Sequence, residues 1–290
     1  NEVIKITQFG HGNTAIDNFT GSFRDLVQQK LGDAGIGWIT SNELKGQSYR
    51  SVKWRYYQSH IVRNSLDNFA NTNQPENVSI QISTSPKSKS PQEWEVRLMV
   101  RNDMTDSVTL SNKNGAIQAS HQLLDKQLKQ WTVEQAFSTM PLTIQAKNEA
   151  DIGGLWLQKA AKSGAIVSAI DLQKIQQSTL THWPSEWLAE LKMTESDLVI
   201  LEYGAAEVFN EHLDATEYRK SLKDSIKKIR QQLPQAVILL VSPPDLMDQT
   251  KLNGRCYERM PKSYEKVKVT QLAVARSERV LYWDWQKAMG

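Results

Sequence analysis

Cysteine is almost missing from this chain of 290 residues. Cys256 is the single thiol, so the sequence excludes an intrachain disulfide, a cysteine-based zinc site and a Cys-x-x-Cys redox motif. One thiol does not identify the compartment, because cytosolic and periplasmic proteins both include chains of this kind.

Histidine is also scarce, and its spacing indicates no metal site. The five histidines show neither a His-x-His nor a His-Glu-x-x-His arrangement, the two short spacings that place imidazoles around one ion. The sequence therefore predicts no metal site, and it contains no signal for another cofactor. The histidines are His11, His60, His121, His182 and His212.

The chain also has neither a large excess of one sign of charge nor a long apolar run. The 35 basic and 32 acidic residues give a net charge of +3 and form no block of like charges, which gives little support for nucleic-acid binding. No apolar run approaches the roughly 18 residues of a membrane span, so no transmembrane segment is predicted. The hydrophobic content of 39% with nine Trp instead indicates a packed, folded protein.

Hydrophobic patterning divides the chain into an α/β domain and an insertion. The first part, 1–48, begins with a strand over Val3–Phe9 and continues with an amphipathic helix near Thr20–Lys30. Short runs with period-two alternation, such as "NVSIQIST" and "EWEVRLMV", fill 49–150 and predict a β-sandwich-like domain. In 151–290 strands and helices alternate again.

The strands of the third region are typical of a parallel sheet. "LVILEY" and "VILLVS" are almost continuously apolar, as expected where helices cover both faces of the sheet. Helices between such strands predict a doubly wound α/β fold, in which 1–48 and 151–290 form one domain around the insertion 49–150. Ligands of such sheets bind beyond the carboxyl ends of the strands, here at the loops "FGHGNT", "VSAID" and "EYGAAEVFN".

Three segments resemble the SGNH (GDSL-type) hydrolases. They are "QFG…T…FTG.FR", "LVILEYGAAEVFN" with the following "ILLVSPPD", and the terminal "YWDWQKAMG". The pattern is similar to the periplasmic peptidoglycan O-acetylesterase branch, which carries a β domain resembling a carbohydrate-binding module after its first segment. The resemblance covers about two thirds of the chain and implies a flavodoxin-like three-layer fold, a periplasmic or envelope location and a glycan or peptidoglycan ligand.

The first family motif is degenerate in this chain. The family reads Gly-Asp-Ser, often followed by His and Thr, and the Ser is its nucleophile. This sequence has Gly10, His11, Gly12, Asn13 and Thr14 at those positions. Glycine has no hydroxyl, so no acyl-enzyme can form at residue 12.

The oxyanion motifs are degenerate too. The resemblance aligns Ser168 with the Gly whose backbone N–H binds the oxyanion, and Ala206 with the Asn whose side chain is the second donor. Loss of one such donor typically lowers turnover by about 100- to 1000-fold. The family's fourth motif, Asp-x-x-His, normally follows the segment that matches "YWDWQKAMG". Gly290 is the last residue of that segment in this sequence, so the sequence does not show whether the motif is present.

Five residues are candidates for ligand contact. His11 could be a base, a ligand contact or a turn residue, although Thr14 is the only hydroxyl close to it in "GHGNT". Asn13 could bind ligand, but it also suits a left-handed turn or a helix cap. Glu207 could hydrogen-bond the first loop, and Trp183 could form an aromatic platform for a sugar or pack in the core.

These observations favour a catalytically degenerate SGNH-fold protein of the cell envelope. Such a pseudoesterase would bind O-acetylated glycan or assist an esterase or acetyltransferase as a protein partner. The alternative is an active carbohydrate O-acetylesterase with a displaced nucleophile, for which Thr14 and Ser168 are the nearest hydroxyls in the motifs. A purely structural assembly subunit is a third possibility.

Overall fold

The structure is a computed structural model. It describes residues 2–10, 12, 14, 16–40, 48–58, 77–84, 92–101, 107–112, 115–121, 132–147, 151–161, 163–171, 185–248 and 255–289. The strands in chain order are β1 (Val3–Gly10), β2 (Gly35–Ile39), β3 (Val52–Gln58), β4 (Asn77–Thr84), β5 (Glu93–Arg101), β6 (Ser107–Asn112), β7 (Gly115–His121), β8 (Thr132–Thr139), β9 (Leu142–Lys147), β10 (Asp151–Lys159), β11 (Gly164–Asp171), β12 (Leu198–Glu202), β13 (Val237–Val241) and β14 (Leu281–Trp283). The α-helices are α1 (Asn18–Leu31), α2 (Ser185–Thr194), α3 (Ala215–Gln232), α4 (Tyr264–Glu278) and α5 (Trp285–Met289).

A parallel five-stranded sheet forms the centre of the α/β part. Its strand order is β11-β1-β12-β13-β14, and every neighbouring pair is parallel. β11 lies on one side of β1, and β12, β13 and β14 lie on the other. The direction in which the sheet is wound therefore changes at β1, and ligands of such sheets bind at the carboxyl ends of the strands beside this point. The predicted doubly wound α/β fold is confirmed.

Both faces of this sheet are covered, which explains its apolar strands. On one face, Ile6, Ile200 and Val241 share a core with α1, through Phe19 and Phe23. On the opposite face, alternate residues of the same strands pack against α2, α3 and α4. Strands buried on both sides have no polar face, so they carry the continuous runs seen in the sequence.

The helix α3 illustrates how the sequence sets the helix ends. The Asp214 carboxylate accepts hydrogen bonds from the backbone N–H of Thr216 at 2.7 Å and of Glu217 at 3.3 Å, which caps the first turn. Pro234 follows the helix closely and prevents its continuation. The sequence predicts this helix over Thr216–Leu233, and the observed helix, Ala215–Gln232, begins and ends one residue earlier. Among the described residues, no helix is both long and apolar enough to cross a membrane.

The middle of the chain forms two antiparallel sheets. Their orders are β2-β10-β5-β8 and β3-β4-β9-β6-β7. Residues of both sheets share one buried core, with Val96 and Leu98 from β5 and Ile80 and Ile82 from β4 among its members. This arrangement has the sandwich form that the alternating pattern predicts.

Two strands of these sheets come from outside the predicted insertion. The predicted α/β domain includes Gly35–Ile39 and Asp151–Lys159, but both strands pair antiparallel, and β10 joins β2 to β5. Gly37 has φ +82° and lies so close to β11 that a Cβ there would be 2.0 Å from the Ser168 Oγ. The position of the domain boundary stays a prediction.

A buried carboxylate joins the two parts of the chain. Glu190 on α2 accepts a hydrogen bond from the Trp38 indole Nε1 of β2 at 2.9 Å and from the Gly154 backbone N–H of β10 at 3.1 Å. Both contacts are buried. Since an unsatisfied buried carboxylate is costly, these bonds hold the antiparallel sheet against the α/β part in one arrangement.

Candidate functional site

The turn after β1 holds Gly12 at the carboxyl edge of the parallel sheet. The Ile16 N–H donates to the Gly12 carbonyl at 3.1 Å, and the Asp17 N–H donates to the Thr14 carbonyl at 3.0 Å. Gly12 has φ +48°, and a Cβ built on it would meet no atom of the described residues within 4 Å. The position aligned with the family's nucleophile therefore faces open space.

A buried cluster of polar side chains holds this turn against the ends of β1 and β12. The Thr14 hydroxyl donates to the Glu202 carboxylate, and the Gln8 amide donates to the Thr14 Oγ1 at 2.8 Å and to the Glu202 Oε2 at 3.1 Å. All three side chains are buried. The end of β12 is thus bonded to the turn that follows β1.

The Glu202 carboxyl has a raised pKa, which is unusual for a carboxyl group at the edge of a sheet. Burial raises the pKa of its carboxyl to about 7, and the hydrogen bonds from Thr14 and Gln8 oppose this rise. A Cβ at Gly10 would lie 2.5 Å from the Glu202 Oε2 and 2.7 Å from the Thr14 Oγ1, so any other residue there would force these side chains to shift. The close packing keeps water away from the carboxyl group.

A buried ion pair fixes the start of α1. Arg24 donates from Nη1 and Nη2 to the two Asp17 carboxylate oxygens, both at 2.9 Å, and from Nε to the Val167 carbonyl of β11 at 2.6 Å. Asp17 has φ +55° and also accepts a hydrogen bond from the Arg50 backbone N–H at 3.1 Å. This one carboxylate therefore joins the turn, α1 and the segment that leads into the β insertion.

The loop after β12 carries the aligned oxyanion position. Ala206 is exposed there, and its methyl group offers no hydrogen-bond donor. Glu207 opens a 3-10 turn over Glu207–Phe209, and burial raises the pKa of its carboxyl, while backbone groups of the same loop oppose the rise. Among the described residues, Glu202 makes the side-chain contact to the first turn, and the role of Glu207 stays a prediction.

Ser168 lies within β11 and not in the loop that follows it. Its Oγ accepts a hydrogen bond from the Trp38 backbone N–H at 2.9 Å, and its side chain is buried between β11 and β2. Thr14, the other hydroxyl considered as a displaced nucleophile, is buried with its hydroxyl bonded to Glu202. Both hydroxyls thus have structural partners, and their use in catalysis stays a prediction.

Three of the predicted contact residues cannot be placed. His11, Asn13 and Trp183 lie outside the described residues, so their roles remain predictions. Within the described part of the chain, no group of three or more His, Cys, Asp and Glu side chains is arranged to hold a metal ion.

Sequence reasoning missed the residues that hold the turn. Gln8, Glu202, Asp17 and Arg24 were not singled out, although they make the bonds described above. One signal was available for Glu202, because a carboxylate directly ends the apolar run "LVILE" at the carboxyl edge of a sheet. The other three depend on contacts between distant strands and helices, which local patterns do not reveal.

Comparison with solved structures identifies a similar protein over the full chain. A peptidoglycan O-acetylesterase structure matches 100% of this chain and 80% of its own length, with 28% identity and a TM-score of 0.79. No protein-family model and no curated protein sequence matches the chain.

Weaker likenesses also occur. A family two carbohydrate esterase from Cellvibrio japonicus matches 85% of this chain and 88% of its own, with 9% identity and a TM-score of 0.29. The periplasmic domain of a Salmonella ser. Paratyphi A lipopolysaccharide acetyltransferase matches 42% of this chain and 56% of its own, with 12% identity and a TM-score of 0.32. At these TM-scores the two likenesses support no further argument.

Proposed function

Since the chain belongs to the SGNH-type esterase-like family, we propose that it binds O-acetylated glycan at the carboxyl edge of its parallel sheet and does not cleave the ester. Peptidoglycan is the proposed glycan, because a solved structure that resembles the whole chain is a peptidoglycan O-acetylesterase. The cell envelope is the proposed location for the same reason. An esterase or acetyltransferase that modifies this glycan is the proposed class of protein partner.

The open space over Gly12 carries the proposal. The turn is held by Thr14, Gln8 and Glu202, yet the residue at its tip has no side chain, and no atom in the described part of the chain lies within 4 Å of a Cβ built there. Acyl transfer through a serine enzyme needs a hydroxyl at this place. An acetyl group could occupy the same space without being attacked.

The loop after β12 supports a binding role over turnover. Ala206 is exposed beside the 3-10 turn and contributes only a methyl group. A transition-state oxyanion needs donors placed before the reaction starts, and loss of one donor costs about 100- to 1000-fold. A ground-state ester needs much less stabilisation, so binding can survive where catalysis does not.

The active-esterase alternative requires a second hydroxyl that can reach an ester. Thr14 and Ser168 are both buried, and each already has a hydrogen-bond partner in Glu202 or Trp38. A nucleophile needs a base and must also reach the ester; Thr14 has the Glu202 carboxylate beside it, but neither buried hydroxyl is accessible. We therefore place the alternative second.

Two assays test the proposed function. Release of acetate from O-acetylated peptidoglycan and from p-nitrophenyl acetate should equal the uncatalysed background, while calorimetry with O-acetylated peptidoglycan fragments should detect binding. De-O-acetylated fragments of the same length are the matched control and should bind more weakly. Acetate release well above background, abolished by Thr14→Ala or Ser168→Ala, would instead establish the esterase alternative.

A further inference from the structure

A stack of aromatic rings lies at the carboxyl ends of β13 and β14. The Trp283 and Trp285 rings are stacked, with centroids 5.9 Å apart and planes 17° apart, and the Phe19 ring lies 4.8 Å from Trp285. Trp285 is buried, whereas Trp283 is 39% exposed. An exposed indole that rests on a buried one presents a flat apolar surface to solvent.

This surface shares one edge and one face of the sheet with the candidate site. Glu202 pairs in register with Val241, and Val241 pairs with Trp283. Neighbouring strands lie about 4.8 Å apart, so the backbone of Trp283 is about 10 Å from that of Glu202. Phe19 belongs to the first turn of α1, directly after the loop that holds Gly12. Its contact with Trp285 therefore links the aromatic stack to that loop.

The stack is held in place by the backbone around it. The Trp285 N–H donates to the Ser242 Oγ at 2.9 Å, and the Ser242 N–H donates to the Trp283 carbonyl at 3.0 Å. These bonds fix both indoles to the end of β13. A ligand that stacks on Trp283 therefore meets an ordered surface, which lowers the entropic cost of binding.

Polar groups of α4 and α5 meet the end of β14 at the same edge of the sheet. The Lys268 Nζ is 3.1 Å from the Asp284 carboxylate and donates to the Gln286 Oε1 at 2.9 Å. Asp245, which follows β13, is exposed and accepts a long hydrogen bond of 3.4 Å from Gln286. The flat, exposed indole of Trp283 suits the apolar C–H face of a pyranose ring, and polar groups at the same edge of the sheet can hydrogen-bond sugar hydroxyls.

We propose that Trp283 is a sugar-stacking subsite that binds a glycan ring remote from the O-acetylated sugar at Gly12. The inference rests on the proposed function for the identity of the ligand, and it adds a second contact point along the same glycan. Affinity should consequently depend on glycan length. A disaccharide seated at Gly12 need not reach Trp283, whereas a hexasaccharide spans both places.

Calorimetry with peptidoglycan glycan fragments tests the subsite. The probes are a hexasaccharide and a disaccharide, each with and without O-acetyl groups. Trp283→Ala should weaken hexasaccharide binding about ten-fold, the upper end of what an aromatic contact contributes, and should leave disaccharide binding unchanged. Trp283→Phe should retain most of the affinity because it keeps a flat ring.

Leu281→Ala is the matched control. Leu281 lies two residues earlier on the same strand and is 56% exposed, so this variant removes apolar surface from β14 without removing an aromatic ring. It should bind both probes like the native chain. A similar loss of affinity in Leu281→Ala would indicate disturbance of β14 and would overturn the stacking argument.

The outcomes separate the subsite from the proposed function. Equal hexasaccharide affinity in the native chain and in Trp283→Ala overturns the subsite, even if O-acetyl groups still increase affinity. If O-acetyl groups have no effect but Trp283→Ala still weakens hexasaccharide binding, the subsite stands and the proposed recognition of the ester at Gly12 fails. A native chain that binds no probe overturns both.

Discussion

The buried Glu202 carboxyl makes stability depend on pH in a direction that can be worked out from the structure. Its pKa is raised to about 7 from the ordinary 4.5, chiefly because burial disfavours the charged form. Between these two values the folded chain holds a proton that the unfolded chain releases. The free energy of unfolding therefore falls as pH rises from about 4.5 to about 7.

The structure also sets the size of this effect. The difference between the folded and unfolded pKa corresponds to about 3 kcal/mol of lost stability once the pH exceeds both values. Glu202→Gln removes the titration and keeps an oxygen that can accept the Thr14 hydrogen bond. The variant should thus lack this part of the pH dependence.

Urea unfolding of the native chain and of Glu202→Gln at about pH 5 and about pH 8 measures the difference. The native chain should lose about 2–3 kcal/mol more than the variant between these conditions, because part of the full loss has already occurred at about pH 5. Glu2→Gln, at an exposed glutamate, is the control and should follow the native chain. If Glu202→Gln also follows the native chain, the carboxyl is already ionised throughout this range and the reasoning from burial is refuted.

Two further pairs of variants test which contacts hold the turn after β1. Arg24→Ala should lower the free energy of unfolding by about 3–5 kcal/mol, because it leaves the Asp17 carboxylate buried without its partner; Lys262→Ala, in an exposed pair, should cost under about 1 kcal/mol. Gly10→Ala should cost about 1–3 kcal/mol, since its Cβ would press on the buried carboxylate. Gly12→Ala meets open space, and its cost of about 1 kcal/mol comes from the positive φ alone. Chemical denaturation measures all four.

The comparisons within these pairs decide the outcome. Equal losses for the buried and the exposed cation would mean that water reaches Asp17. Equal losses for the two glycines would mean that the site around Gly10 relaxes at little cost.

The sequence was sufficient to predict the parallel sheet because its physical signal is local. Runs such as "LVILEY" and "VILLVS" are apolar at almost every position, and both became central strands as Leu198–Glu202 and Val237–Val241. Helix α3 has a local signal too: Leu222, Ile226 and Ile229 recur at the three- and four-residue spacing of one helix face, and all three are buried.

The missed strands β2 and β10 owe their form to tertiary contacts. "GIGWI" and "DIGGLWLQK" contain glycines where another strand or an indole comes close, so they lack the alternation that marks an ordinary strand. At Gly154 a Cβ would lie 2.1 Å from the Trp38 Nε1. A pattern of residues along one strand cannot reveal this contact, because the partner lies far away in sequence.

The candidate site divides in the same way. Gly12 and Ala206 could be singled out because each occupies a motif position read along the chain. The Gln8, Thr14 and Glu202 cluster could not, because it requires β1 and β12 to be neighbours in the sheet. The sequence thus located what the site lacks, and the structure located what supports it.

The hydrogen-bonded cluster of Gln8, Thr14 and Glu202 holds the turn in place, so the turn can be used to test the effect of a restored nucleophile. In a variant with His11→Asp, Gly12→Ser and Asn13→His, the serine side chain enters open space, so the strain at φ +48° should cost only about 1 kcal/mol. The variant should therefore fold, and weak or absent hydrolysis of p-nitrophenyl acetate would indicate missing catalytic groups and not a collapsed turn.

Ala206→Asn, added to that variant, separates the remaining causes. Ala206 is exposed, so an asparagine there should be accommodated without disturbing the core. If the residual limit is the absent oxyanion donor, hydrolysis should rise by about 100- to 1000-fold over the variant without it. No rise, in a chain whose unfolding shows it to be as stable as its parent, would mean that the loop after β12 does not face the restored serine and that the motif alignment at Ala206 is wrong.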